Sequence, residues 1–131
     1  MWNLFRDKSS VFTDGRFITV KYTHWCKRRH NFSLAVSEIV AIEARRIEPF
    51  TMVLFLHGED GFRRTVMDEM EGWDTVLEFI KNHFNGFECE AYAEAERHIE
   101  QTFRCWGKLP GDEPNSKPPP ETPQGQQPSR D

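Results

Sequence analysis

The clearest pattern of apolar and polar positions lies in residues 51–84. Apolar residues fill positions 52–56, which is typical of a strand buried on both faces. Five turn-forming residues, 57–61, lead into a second strand over 62–67, in which polar and apolar side chains are mixed. The pattern predicts a β-hairpin, because a loop of this length commonly joins two antiparallel strands.

From Trp73 onward the apolar residues recur at helical spacing. Five of them share one side of a helix: Trp73, Val76, Leu77, Ile80 and Phe84. Asn85-Gly86 is a suitable stop, since glycine adopts the left-handed conformation at low cost. We predict a helix over 73–84 that packs on the sheet and largely buries Trp73.

Strand signals fill the first half of the chain. Asp14-Gly15 is a hairpin signal between residues 10–12 and 16–22. Further strands are predicted at 32–36 and at 39–47, and Pro49 ends the latter because proline cannot donate to a strand ladder. A second helix is predicted over 88–103, with an apolar stripe formed by Tyr92, Ala95, Ile99, Phe103 and Trp106. The order predicts an α+β fold, in which an antiparallel meander of about six strands precedes one or two C-terminal helices.

Composition divides the chain into a folded part and a tail. Seven of the eight prolines lie at or beyond Pro110, and Leu109 is the single large apolar residue after Trp106. Such a segment buries too little apolar surface to offset the entropy lost on ordering. We predict one domain over residues 1–106 and a disordered, proline-rich tail over 107–131.

Charge is unevenly distributed along the chain. Residues 1–67 contain 11 Lys and Arg against 7 Asp and Glu, whereas residues 68–100 contain 2 against 10. Four glutamates of this acidic segment lie on the side of the second helix opposite its apolar stripe: Glu90, Glu94, Glu96 and Glu100. We interpret them as a surface for a basic protein partner. The alternative is that the basic sheet half balances them within the monomer. The acidity of the whole chain argues against binding to nucleic acid.

One basic cluster, Lys27-Arg28-Arg29-His30, lies in the loop that follows Lys21 and its strand. Lys21, Lys27, Arg28 and Arg29 form an alternative binding site, for an anion or a lipid headgroup, because Lys and Arg pair with phosphate oxygens. The simpler interpretation is a solvated loop whose charges protect a sheet edge from aggregation.

The sequence contains no pattern that favours catalysis or metal binding. The three cysteines, Cys26, Cys89 and Cys105, lack metal-ligand spacing and indicate reduced thiols in a cytoplasmic protein. His24, Cys26 and His30 lack a matching second ligand pair. His57 lies in a turn-rich segment and is predicted to form the turn. We therefore predict no enzyme, no cofactor and no metal, and the absence of a long apolar run predicts no membrane span.

Two short sequence motifs are similar to motifs of a known group of proteins. Ser37-Glu38-Ile39 opens a strand, and Asp68-Glu69 precedes Gly72-Trp73 and a helix. In these features the chain resembles a group of small uncharacterised bacterial proteins that open with a Trp-Ser-Glu-Ile-like phrase, although Val36 stands here in place of that Trp. The order of sheet and helix is similar to that of pleckstrin-homology-like domains. Small acidic bacterial proteins of this size are often adaptors or immunity proteins that neutralise a toxin. We therefore expect a non-enzymatic protein-binding module of unknown partner and oligomeric state.

Overall fold

The computed structural model describes residues 8–23, 29–47 and 50–112. Seven strands and two α-helices occur in this part of the chain. The elements in chain order are β1 (Ser9–Thr13), β2 (Phe17–Tyr22), β3 (Phe32–Ala35), β4 (Ile39–Ile47), β5 (Thr51–Gly58), β6 (Arg63–Met67), α1 (Trp73–His83), α2 (Cys89–Arg97) and β7 (Thr102–Gly107).

The strands form two antiparallel sheets, ordered β1-β2-β3 and β6-β5-β4-β7. The predicted α+β class and antiparallel pairing are confirmed. The prediction of about six strands in one sheet differs from the structure, which has seven strands in two sheets. The turn from β1 to β2 forms as its sequence indicates, because the Asp14 carboxylate accepts hydrogen bonds from the backbone N–H groups of Arg16 and Phe17.

A single apolar core joins the sheets and the helices. Alternation along the strands directs Ile18 of β2, Ile42 of β4 and Leu54 of β5 inward, and all three are fully buried. Helix α1 adds its predicted apolar side, with Trp73 only 7% exposed, which confirms the predicted burial of that ring. No buried polar side chain occurs among the described residues. The core is therefore held mainly by apolar burial.

Residues just before α1 fasten it to the first sheet. The backbone N–H of Val11 donates to the carbonyl of Glu71 at 2.8 Å, and the N–H of Glu71 donates to the carbonyl of Ser9 at 3.0 Å. Gly72 follows with a φ of 95° and lies directly against β1. This contact links the N-terminus of α1 to an edge strand of the three-stranded sheet.

The second helix was predicted to end at residue 103, but α2 ends at Arg97. Glu100 adopts a positive φ of 66°, and its N–H donates to the carbonyl of Arg46 at 2.7 Å. The chain then pairs with β4 as strand β7, where Phe103 lies opposite Ala44 and Trp106 lies opposite Ile42. Phe103 and Trp106 therefore belong to a strand, not to a helical stripe.

The described part of the chain extends beyond β7. Lys108 donates a backbone hydrogen bond to the carbonyl of Val40 at 3.2 Å. Asp112 ends a short 3-10 turn, where its carboxylate accepts hydrogen bonds from Arg104 and from the backbone N–H of Leu109. Residues 107–112 thus lie on the four-stranded sheet. The rest of the predicted tail, residues 113–131, falls outside the described residues.

Candidate functional site

The four predicted partner-binding glutamates do not form one surface. Glu100 lies beyond α2 and forms an ion pair with Arg45 of β4 at 2.8 Å. Glu94 pairs with Arg97 and, at 3.0 Å, with His98, and the hydrogen bond from Arg97 is the main cause that lowers the pKa of Glu94. Two of the four carboxylates are therefore paired with cations of the same chain.

Glu90 and Glu96 are exposed, and neither carboxylate forms an ion pair with a described residue. Their spacing of six residues places them about 120° apart around the axis of α2. They cannot contact the same small patch of a partner. We predicted that four glutamates share one solvent-exposed side of the second helix: Glu90, Glu94, Glu96 and Glu100. This geometry is wrong, because α2 ends at Arg97 and Glu100 is not part of it.

The structure instead gathers acidic groups around Tyr92, whose ring is buried at the inner side of α2. Burial is the largest cause that raises the pKa of the Tyr92 phenol, and the negative charges of Glu96, Asp68 and Asp74 raise it further. These carboxylates belong to α2, to the end of β6 and to α1. Each of the three carboxylates therefore lies within electrostatic range of the Tyr92 phenol.

One cation, Lys81, and one further carboxylate, Glu78, lie on α1 in the same region. The Lys81 ammonium lies 5.3 Å from the centre of the Tyr92 ring. On α1, Glu78 follows Asp74 by four residues, so both lie on the same outer side of the helix. Asp74 and Glu78 also line one shallow surface depression together with Asn82. We call the set Asp68, Asp74, Glu78 and Glu96 the acidic face.

Of the predicted anion-binding residues, the structure describes Lys21 and Arg29, whereas Lys27 and Arg28 lie outside the described residues. Lys21 alternates with the inward-facing Val20 of β2 and therefore points away from the core. Its ammonium lies 5.9 Å from the centre of the Phe12 ring on the outer face of the first sheet. Lys21 is not among the residues that surround Arg29. The predicted group of four is thus divided.

Arg29 lines a cleft between the end of the β2–β3 hairpin and strand β6. The cleft has a volume of about 270 Å³. Its walls are formed by Tyr22, Arg29, His30, Asn31, Phe32, Arg63, Arg64 and Thr65. We call this the basic cleft, because three arginines and a histidine line it and none of the lining residues is a carboxylate.

The two β6 arginines are held in different ways. Arg64 donates to both carboxylate oxygens of Asp60 at 2.8 Å, and this pairing is the main cause that lowers the pKa of Asp60 to about 2. The Arg63 guanidinium lies 4.1 Å from the centre of the Phe55 ring. Arg63 makes no hydrogen bond or ion pair to a described residue. Sequence reasoning missed both arginines, since the strand pattern gave no reason to place them near Arg29.

A separate polar network crosses the outer face of the four-stranded sheet. His57 lies in β5, not in a turn as predicted, because the strand continues to Gly58. The Nε2 atom of His57 is 2.8 Å from one carboxylate oxygen of Glu43. The other carboxylate oxygen of Glu43 accepts a hydrogen bond from Arg104, and Arg104 also forms an ion pair with Asp112. Every member has a partner within the chain. We interpret the network as a clamp that holds residues 108–112 to the sheet.

The described thiols and possible metal ligands show no reactive arrangement. Burial raises the pKa of the Cys105 thiol to about 12, which keeps it protonated at neutral pH. No group of three or more His, Cys, Asp or Glu side chains within residues 8–23, 29–47 and 50–112 is arranged to hold a metal ion. No helix in the described part of the chain is long and apolar enough to cross a membrane.

Comparison with protein-family models, with curated proteins and with solved structures found no match to this chain. The resemblance to small bacterial proteins and to pleckstrin-homology-like domains therefore stays a prediction.

Proposed function

We propose that this protein is a non-enzymatic protein-binding module that presents its acidic face to a basic partner. The observation that carries the proposal is that the carboxylates of Glu96, Asp68 and Asp74 all lie within electrostatic range of the Tyr92 phenol. The three residues come from separate elements, so the fold itself brings their charges together.

This arrangement places three negative charges in one region of the protein. Like charges repel one another. The Lys81 ammonium lies against the Tyr92 ring, and the Asp68 carboxylate accepts a hydrogen bond from the backbone N–H of Met52. By contrast, Glu94 and Glu100 are paired with cations of the chain. A basic partner would supply the missing positive charge, speed encounter by electrostatic steering and fix the orientation of docking.

Burial keeps the Cys105 thiol protonated at neutral pH, which supports a binding role rather than a catalytic one for the described part of the chain. The resemblance to small bacterial proteins supports a bacterial, cytoplasmic setting. Within this proposal, an immunity protein that covers the basic substrate groove of a toxin, or an adaptor, fits the acidic face. Both are proteins that act by occupying a surface rather than by chemistry.

The test compares two charge reversals on the same helix. The partner is first captured from the source lysate with the wild-type chain, identified and purified. Its affinity is then measured for Glu96→Lys and for the matched control Glu90→Lys, which makes the same charge change about 120° away around α2. We expect Glu96→Lys to weaken binding about 10-fold or more, and Glu90→Lys to change it by less than about 3-fold.

Two results would contradict the proposal. Equal weakening by both variants would show that only net charge matters, and unchanged binding by Glu96→Lys would show that the acidic face is not the contact. Melting curves of both variants serve as a folding control. Both should unfold close to the wild-type temperature, because exposed residues without an ion pair contribute little to stability.

A further inference from the structure

We propose that Phe50 is the apolar anchor of the partner contact, on which a basic segment of the partner packs an aromatic side chain flanked by Lys or Arg. The inference rests on the proposed function, because it names the chemistry of the partner that the acidic face would bind. Phe50 lies directly before β5, at the end of the four-stranded sheet where β4 and β5 are joined.

Phe50 is the most exposed large apolar residue in the described part of the chain, at 75%. A single exposed apolar residue is common on proteins and needs no function by itself. The surroundings of Phe50 are what distinguish it. Phe62, which is 69% exposed, is the useful comparison. Its carbonyl is bonded to the N–H of Gly58, so it lies at the opposite end of β5. This places Phe62 roughly 25 Å from Phe50, at a rise of about 3.3 Å per strand residue.

Two residues of the acidic face lie beside Phe50. Met52 follows Phe50 by two positions, and its backbone N–H donates to the Asp68 carboxylate at 3.1 Å. From β4, the Arg46 guanidinium donates to the carbonyl of Glu96 at 2.8 Å and lies 5.4 Å from the centre of the Phe50 ring. The end of β6, helix α2 and the exposed ring therefore meet at one end of the sheet.

Arg46 supports the Phe50 ring before any partner arrives. A guanidinium at 5.4 Å from the ring centre is within the range at which a cation and an aromatic ring attract each other. The guanidinium is itself held by its hydrogen bond to Glu96. The ring is thus positioned by the chain while most of it stays exposed. A partner would gain an apolar contact without the full entropic cost of ordering a mobile side chain.

The charges around the ring indicate the chemistry of the partner. The acidic face contributes four carboxylates, whereas the contacts described above place two cations in this region, Arg46 and Lys81. The excess of negative charge favours Lys and Arg on the partner and disfavours an anionic lipid surface. Protein interfaces concentrate aromatic residues at their centre and place charged residues toward the rim. An aromatic side chain between basic residues matches an exposed ring bordered by carboxylates.

The experiment titrates the full chain with two synthetic peptides whose ends are blocked, Arg-Arg-Trp-Arg-Arg and Arg-Arg-Ser-Arg-Arg. Binding is followed by NMR shifts of the backbone amides. We expect the Trp peptide to bind about 5-fold or more tightly than the Ser peptide, with large shifts at Phe50. Phe50→Ser should remove this preference, and the matched control Phe62→Ser should keep it within about 2-fold of wild type. Glu96→Lys should weaken binding of both peptides, because it changes the charge that both recognise.

The outcomes separate the anchor from the acidic face. A preference for Trp that is absent in wild type, that persists in Phe50→Ser, or that is lost equally in Phe62→Ser would overturn the anchor. Unchanged binding of both peptides by Glu96→Lys would instead contradict the proposed function. Sedimentation of the chain alone tests a second copy as the occupant, and a dimer that Phe50→Ser abolishes would also overturn the inference. Both Phe variants should melt close to the wild-type temperature, since the two side chains are exposed.

Discussion

Replacing Gly72 with alanine tests how the two sheets and α1 are joined. Gly72 has a φ of 95°, and a Cβ added there would lie 2.1 Å from the carbonyl oxygen of Val11. The backbone of β1 would have to move, because a carbonyl oxygen held in a strand cannot rotate away like a side chain. The movement would break the two hydrogen bonds that connect Glu71 to Val11 and Ser9.

The magnitude has two parts. A non-glycine residue in the left-handed region costs about 1–2 kcal/mol. Loss of two backbone hydrogen bonds adds about 1–3 kcal/mol, at a net value near 0.5–1.5 kcal/mol each. We therefore expect Gly72→Ala to lower the free energy of unfolding by about 2–5 kcal/mol.

Gly86→Ala is the matched control for this change. Gly86 has a similar φ of 88°, but a Cβ there would meet nothing within 4 Å. Gly86→Ala should lose only the stability that the left-handed conformation costs an alanine. The two variants should therefore differ by about 1–3 kcal/mol in their free energy of unfolding in urea, or by roughly 5–20 °C in melting temperature. If they unfold within about 0.5 kcal/mol of each other, the close contact between β1 and Gly72 does not exist as described.

Three further predictions concern stability. Trp73→Ala should lower the free energy of unfolding by about 3–5 kcal/mol, because it empties a large buried site, and a melting shift of only a degree or two would refute this. The Arg64 pair holds the folded-state pKa of Asp60 at about 2, below its ordinary value of 3.8, so its stabilising effect is present above pH 4 and is lost as the pH falls toward 2. The stability advantage of wild type over Asp60→Asn, measured by denaturant unfolding, should therefore shrink across that interval. An advantage as large at about pH 2 as at about pH 5 would contradict the pairing. Removal of residues 113–131 should leave the melting temperature unchanged, whereas Asp112→Ala should lower it, because Arg104 and Leu109 lose their hydrogen bonds to the Asp112 carboxylate. A melting temperature that falls on removal of residues 113–131 but not in Asp112→Ala would refute the clamp.

Local patterns predicted most of the fold, because β1 to β6 and α1 are encoded by residues close together in the chain. Alternation and turn residues defined the strands, and the helical spacing from Trp73 defined α1. Strand β7 was missed for a physical reason. Tyr92, Ile99, Phe103 and Trp106 recur at near-helical spacing, and neither glycine nor proline marks the end of α2. The helix ends at Arg97, where His98 becomes extended, and the left-handed Glu100 that follows is held by a hydrogen bond to Arg46 of a distant strand.

The charged surfaces were predicted less well, because they depend on tertiary structure. Arg29 and Arg63 are 34 positions apart in the sequence and line one cleft only because the β2–β3 hairpin lies against β6. The acidic face likewise joins the end of β6 to both helices. One signal was present in the sequence: Lys21 alternates with Val20, which already placed it on the opposite side of β2 from the core.

The most direct test of the central claim is a hydrogen-exchange footprint of the chain in complex with its purified partner. Binding through the acidic face predicts slower amide exchange in α1 and α2, with the three-stranded sheet unchanged and the protection reduced as salt rises. Protection confined to β1, β2 and β3, with exchange in both helices equal to that of the free protein, would contradict the proposed function.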